Sequence, residues 1–297
     1  MKRNNKLCVW LIIILLLCAG CTRKRAKSKG IELVFASDRH SNTSAVYQTM
    51  KKMPIDVSYV ALIGDMVDRT EYYKSSTLLE EVHKVLPAAT VQMIWGSHDA
   101  NVDDDAGIVV NSSSCIRETD DYYVYSIAYD DMRDTSKAEA GAKKLKEWAG
   151  QLNDQKPVFV VSHVPMHAKR GDNVGATYWH EALQYLSTGG EGTKIKRAVV
   201  FFHGHNHTVD KEEYYYKSLS TINLQGKTGS SHKPRKRGEK PSIEANNTVS
   251  TVIYYTYITA GYLNENTSAT LVSIDQGTIT FTKYAKGKST ELGSVKY

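Results

Sequence analysis

The sequence predicts an α/β fold: one domain from about residue 30 to residue 297, in which strand–helix units are followed by an antiparallel meander. Three observations predict it. Short apolar runs at 31–36, 57–63, 91–95, 158–161 and 198–202 have the length and composition of buried strands. Segments 44–53, 77–86, 138–152 and 178–186 space their apolar residues three to four apart, as helices with one buried face do. From residue 214 the pattern turns to tyrosine-rich alternation at 214–224, 251–259, 269–274 and 278–284, the period of strands with one wet face. A chain of 297 residues, 41% hydrophobic and 24% charged, is large enough for one substantial core and is too apolar for wholesale disorder.

Residues 1–29 stand apart from that body. Lys2, Arg3 and Lys6 precede an uninterrupted apolar run over 7–20, and Cys21 then opens a polar, basic stretch over 22–29. Fourteen apolar residues fit the hydrophobic region of an export signal and fall short of the roughly 20 that span a bilayer as a helix. Ala19-Gly20-Cys21 resembles the bacterial lipoprotein cleavage box, although Cys18 stands where that box usually carries an aliphatic residue. The expected organisation is a lipoprotein signal peptide over 1–20, a basic membrane tether over 21–29 lipidated at Cys21, and the folded domain over 30–297; an uncleaved signal anchor is the alternative. The expected location is extracytoplasmic, anchored to the cell membrane.

Charge and cysteine usage agree with this division. Eight of the Lys and Arg residues fall within 1–29, which hold no acid, so of the net +6 the remaining residues carry −2. The tether would then lie against anionic headgroups. A second basic cluster, Lys233 to Arg237, sits in a glycine-, serine- and proline-containing stretch without apolar period; it reads as a solvated loop, and no nucleic-acid partner is expected. Removal of residues 1–20 leaves Cys21 and Cys115, so a lipidated Cys21 predicts a free Cys115, while an unmodified one leaves a bridge between them conceivable.

Five polar stretches follow the predicted strands: Ser37-Asp38-Arg39-His40, the segment from Gly64 and Asp65 to Asp68 and Arg69, Gly96-Ser97-His98-Asp99, Ser162-His163 and Gly204-His205-Asn206-His207. Open α/β sheets bind ligands outside the carboxyl ends of their strands. Imidazoles and carboxylates without thiolates at five such ends suit Mn²⁺, Fe²⁺ or Zn²⁺ at a reactive site rather than a structural zinc.

In that order the stretches resemble the calcineurin-like metallophosphoesterases, whose pattern is Asp-x-His, Gly-Asp-x-x-Asp, Gly-Asn-His-Asp/Glu, a lone His, then Gly-His-x-His. The resemblance covers 35–207. It implies a double β-sandwich flanked by helices, in α/β/β/α layers, with two divalent metal ions. It further implies that Asp38, His40 and His207 hold one ion, that His163 and His205 hold the other, and that Asp65 bridges both. A hydroxide shared by the ions would attack a phosphomonoester or phosphodiester, with His98 donating to the leaving or phosphoryl oxygen and Asp68 orienting its ring. Ser97 occupies the place of the family's asparagine ligand at the second ion, where a shorter, weaker donor leaves either a working enzyme or a metal-containing binding lipoprotein with weakened or lost catalysis.

Further residues carry weaker expectations. Arg69 is a candidate phosphate contact and His167 a candidate substrate contact. Tyr72, Tyr73, Tyr178 and Trp179 would stack on a substrate ring or pack on the scaffold. The run Asp103 to Asp105 would bind a cation or remain solvated. Specificity is expected from segments 69–77, 99–120, 166–180 and 226–248. A serine esterase ranks last, because the chain has no Gly-x-Ser-x-Gly elbow.

Overall fold

A computed structural model describes residues 30–297 except 111–112, 168–172, 193, 208–214, 226–247 and 265–266. Cys21, the predicted signal and tether, and the basic cluster at 233–237 lie outside the described residues. Among the described residues no helix is long and apolar enough to cross a membrane.

Two sheets face each other. In the first, β1 (Ile31–Ala36), β2 (Tyr59–Ile63), β4 (Thr90–Ile94) and β6 (Val109–Val110) run parallel, and β15 (Ser268–Asp275), β16 (Thr278–Ala285) and β17 (Lys288–Lys296) extend it as an antiparallel meander whose β15 pairs antiparallel with β1. In the second, β8 (Tyr123–Ser126), β9 (Val158–Ser162), β10 (Val199–His203) and β14 (Thr256–Thr259) run parallel between antiparallel edges β7 (Cys115–Glu118) and β11 (Tyr215–Tyr216). Two ribbons stand outside them: β3 (Tyr73–Lys74) with β5 (Val102–Asp103), and β12 (Thr221–Gln225) with β13 (Thr248–Val252).

The two-residue period of a strand explains why central strands that read as continuous apolar runs build three cores. Leu33 and Phe35 of β1 enter the space between the sheets, while Val34 and Ala36 face helices. From the opposing sheet Phe159 and Phe202 meet them, Phe35 and Phe202 stacking with centroids 3.9 Å apart; Val160 and Phe201 face the other way. Burial of each such ring is worth roughly 1.5–3 kcal/mol. Helices α1 (Ala45–Met50) and α2 (Ser75–His83) cover the outer face of the first sheet through Val46, Met50, Leu78 and Val82. On the second, α3 (Tyr129–Arg133), α4 (Thr135–Gln151) and α5 (Ala176–Thr188) pack through Met132, Leu145, Trp179 and Leu183. Asp134 caps α4 by accepting from the Lys137 amide, and α5 stops at Gly189, whose φ of 66° is cheap only for glycine. The layering is α/β/β/α, as the resemblance implied.

The reading of the later strands needs correction. Segments 214–224 and 251–259 are not single strands of one meander: each is divided between the second sheet and the β12–β13 ribbon, and β14 lies parallel to β10. Segment 99–120, expected to contribute to specificity, holds three short strands, and the polar β17 forms by pairing with β16.

Candidate metal centre

The five polar stretches converge at the carboxyl ends of β1, β2, β4, β9 and β10. Asp38, His40, Asp65 and His207 form one group whose ligand atoms all lie within 4.8 Å of one another; Asp65, His163 and His205 form a second, so Asp65 belongs to both. All but His207 are buried. The structure thus brings together all six side chains that the resemblance assigned to metals.

Backbone conformation is part of the construction. Asp38, His40, Asp65, His205 and His207 have φ between 49° and 70°, a left-handed conformation that costs a non-glycine residue roughly 1–2 kcal/mol. Main-chain bonds hold the turns against it: the Asp38 amide donates to the Gly64 carbonyl (3.0 Å), His40 to Asp65 (3.0 Å) and Asn264 to Asp38 (3.1 Å). Gly64 and Gly96 allow closeness, because a Cβ on the former would collide with the His163 ring and one on the latter with Asp65.

The donor geometry fits cations. The Nδ1 of His163 lies 2.9 Å from the Ile63 carbonyl, which fixes N–H there and leaves Nε2 as the lone-pair nitrogen of a neutral ring. That nitrogen faces an Asp65 oxygen at 3.3 Å and Nδ1 of His205 at 3.1 Å. Acceptors turned on one another need a proton or a cation between them. In the other group Nε2 of His207 lies 2.9 Å from Asp38 Oδ1 and 3.2 Å from Nε2 of His40. Nitrogens bound to one ion at about 2.0–2.1 Å lie about 3 Å apart, so both groups fit. Without metal, burial pushes the Asp65 carboxyl up, but the His163 ring beside it wins and holds it far below the usual carboxylate range. Burial likewise works on Asp38 and is outweighed by the His207 hydrogen bond and by His163. Burial disfavours a charged His163, yet Asp65 overrides it and raises the ring to about 9.

Around this pair of groups the remaining predicted residues find different places. Ser97 points its hydroxyl at both Asp65 oxygens, at 3.1 and 3.3 Å, and the His98 amide donates to Asp65 at 2.8 Å. Asp68 lies nearer to His40 than to His98: its Oδ1 is 3.2 Å from His40 Nδ1 and 3.8 Å from His98 Nδ1, and Ser41 donates to Oδ2. Arg69 is exposed at the rim. His167 has both ring nitrogens occupied, by the Tyr257 hydroxyl (2.8 Å) and by the side-chain amide of Asn206, and so braces the turn carrying His205 and His207. Tyr73 and Trp179 pack on the scaffold through Glu81 and the Asp131 carbonyl, and Asp104 and Asp105 take hydrogen bonds at the start of α2. Cys115 is free, and burial raises its thiol.

Residues 31–209 match the family described as calcineurin-like phosphoesterase. The chain belongs to that family. As a calcineurin-like phosphoesterase it is a hydrolase of phosphoester bonds that works with divalent metal ions. No curated protein matches it by sequence. Among solved structures, PhoD aligns at 9% identity and a TM-score of 0.51, covering 91% of this chain and 73% of that one, a likeness of fold. A predicted phosphoesterase from Streptococcus pneumoniae TIGR4 aligns at 14% identity, 90% and 98% coverage and a TM-score of 0.37. Vps29 from Chaetomium thermophilum aligns at 8% identity, 91% and 97% coverage and a TM-score of 0.37.

Two residues of this calcineurin-like phosphoesterase site have roles that the sequence did not assign: Asp99, read only as the last residue of the third polar stretch, and Tyr262. Asp99 is fully buried and accepts from the amides of Gly96 (2.7 Å), Asp65 (2.7 Å), Met66 (2.8 Å) and Val67 (3.2 Å), pinning the bridging turn. Its place beside His98 was the available signal. Tyr262 stacks on His207, centroids 4.5 Å apart and rings 10° from parallel; it comes from the link between β14 and β15, and nothing local marks it.

Proposed function

We propose that this calcineurin-like phosphoesterase is a membrane-tethered, extracytoplasmic hydrolase of phosphomonoesters or phosphodiesters. The single observation that carries the catalytic reading is Asp65, one buried carboxylate shared by two groups of cation donors. Asp38, His40, His207 and Asp65 would hold one ion, and Asp65, His163 and His205 the other, with the Ser97 hydroxyl beside them. Two divalent ions held there would lower the pKa of a water and clamp phosphoryl oxygens. The remaining work falls to this chain's own side chains. His98 is partly exposed, and burial, with His40 and Arg69 adding to it against Asp65 and Asp68, lowers its pKa. A neutral ring then donates through N–H to the leaving or a phosphoryl oxygen, while Asp68 steadies His40 and lies within 3.8 Å of His98 Nδ1, and Arg69 meets the phosphate at the rim. The tether follows from the charged, apolar and cysteine-bearing sequence of residues 1–29.

One observation favours a second reading, a metal-containing binding lipoprotein with weakened or lost catalysis: Ser97 turns its hydroxyl onto Asp65 where the family pattern has a longer amide ligand. Metal analysis of the purified full-length protein, with a panel of artificial phosphoesters and added Mn²⁺, separates the two. The enzyme reading expects bound metal and Mn²⁺-stimulated hydrolysis that drops by about 10²-fold or more in His98→Ala. Metal without turnover across the panel supports the second reading, and absence of metal sinks both. Incorporation of labelled palmitate, lost in Cys21→Ser, tests the tether.

A further inference from the structure

Arg39 is the unspecified middle residue of Asp38-Arg39-His40, and its side chain is completely buried. Its Nη1 donates to the carbonyls of His40 (3.0 Å) and Met66 (2.9 Å), one in each of two turns that carry metal-capable side chains. Its Nη2 donates to the Tyr73 hydroxyl (3.0 Å) and to Glu81 Oε1 (2.8 Å), and the guanidinium carbon lies 5.1 Å from the centre of the Tyr73 ring. Tyr73 in turn donates to Glu81 at 2.8 Å. One planar group therefore ties the Asp38–His40 turn, the turn after β2, the β3 ribbon and helix α2 together.

We propose that Arg39 is a positioning residue that sets the separation between the turn bearing Asp38 and His40 and the turn bearing Asp65, and thereby the cation affinity of the group those three share. This rests on the reading of Asp38, His40 and Asp65 as metal ligands. A buried ion pair is a poor way to gain stability, because removing both charges from water costs about as much as their attraction returns; conformational definition is the better account of its presence. Moreover, Asp38, His40 and Asp65 all hold left-handed backbone, so both turns gain by relaxing and need a rigid tie between them. Guanidinium supplies donors in a fixed fork, which a flexible ammonium cannot reproduce.

The test compares wild type with Arg39→Lys and with the double variant Arg39→Met/Glu81→Leu, which removes both buried charges together and avoids an unpaired Glu81. Three quantities are read on the purified full-length protein: thermal melting, amide hydrogen exchange of residues 36–42 and 64–70 without metal, and Mn²⁺ titration by calorimetry. The expected result is near-wild-type melting of the double variant, exchange at least about 10-fold faster in both turns, and a 10- to 100-fold loss of affinity at one Mn²⁺ position. Arg39→Lys is expected to fall between the two and decides the matter by its exchange if the double variant does not fold. Unchanged exchange and unchanged Mn²⁺ affinity in a folded variant would overturn the proposal. A wild type that takes up no Mn²⁺ would instead overturn the ligand reading.

Discussion

The two donor groups that share Asp65 are built to different standards. The group of Asp38, His40 and His207 has three donors of its own, opens to solvent at His207, and is braced by Tyr262 stacking on that ring and by Asp68 behind His40. The group of His163 and His205 is buried, has two donors of its own, and meets a serine hydroxyl where the family pattern puts an amide oxygen. A metal position gains affinity from ligand number and from the groups that orient its ligands. The first group should therefore hold its ion more tightly, and the second should limit activity.

Asp65→Asn makes the largest break in that comparison, because it takes a ligand from both groups at once. Hydrolysis of an artificial phosphoester is expected to fall by at least about 10³-fold, with both Mn²⁺ equivalents weakened together. Loss of only one equivalent in calorimetry would show that the groups do not share the carboxylate.

A smaller, directional difference comes from pH. In metal-free protein Asp65 raises His163 to about 9, so folding gains from the protonated ring; that gain is fully present below the unfolded value near 6.5 and is lost as pH rises through 9. Chelator-treated protein should lose on the order of 2 kcal/mol of stability between pH 6.5 and 9, read by urea unfolding. Over the same window the Mn²⁺ affinity of the second group should rise by up to about 10²-fold, since the ion must displace that proton. A flat stability profile in chelator would remove the Asp65–His163 pair from the account.

The difference between the groups was only half legible in the sequence. The ligand types and their order were, because each follows a buried strand whose apolar run is unmistakable, and Gly64, Gly96 and Gly204 mark turns where backbone must approach closely. Ser97 was legible as a departure. The braces were not. Tyr262 reaches His207 through a link between strands 55 residues further along the chain, and Arg39 finds Glu81 through the packing of α2; such contacts leave no local pattern. The later strands misread for a related reason: in 214–224 and 251–259 alternation continues across residues where the chain changes sheets, and the polar sequence of β17 is a strand only because β16 offers it an edge.

Ser97→Asn should narrow the difference between the groups. A longer amide carbonyl in place of a hydroxyl bound to Asp65 is expected to tighten the weaker Mn²⁺ equivalent by about 10-fold and to raise turnover at limiting metal, leaving the tighter equivalent unchanged. A variant with weaker binding would mean that the serine–aspartate hydrogen bond orients the bridge better than a further ligand does.

Tyr262→Leu probes the other side at the smallest scale. Parallel rings 4.5 Å apart restrict His207, the one exposed member of its group, and such stacking is worth about 0.5–1.5 kcal/mol. Its loss should weaken the tighter equivalent by a few-fold and leave the other alone, since the ring it stacks on belongs to the first group. Tyr262→Phe keeps the ring and should bind as wild type does. If both variants weakened the ion equally, the hydroxyl and not the stack would be what braces His207, and the stronger group would owe its order to hydrogen bonding.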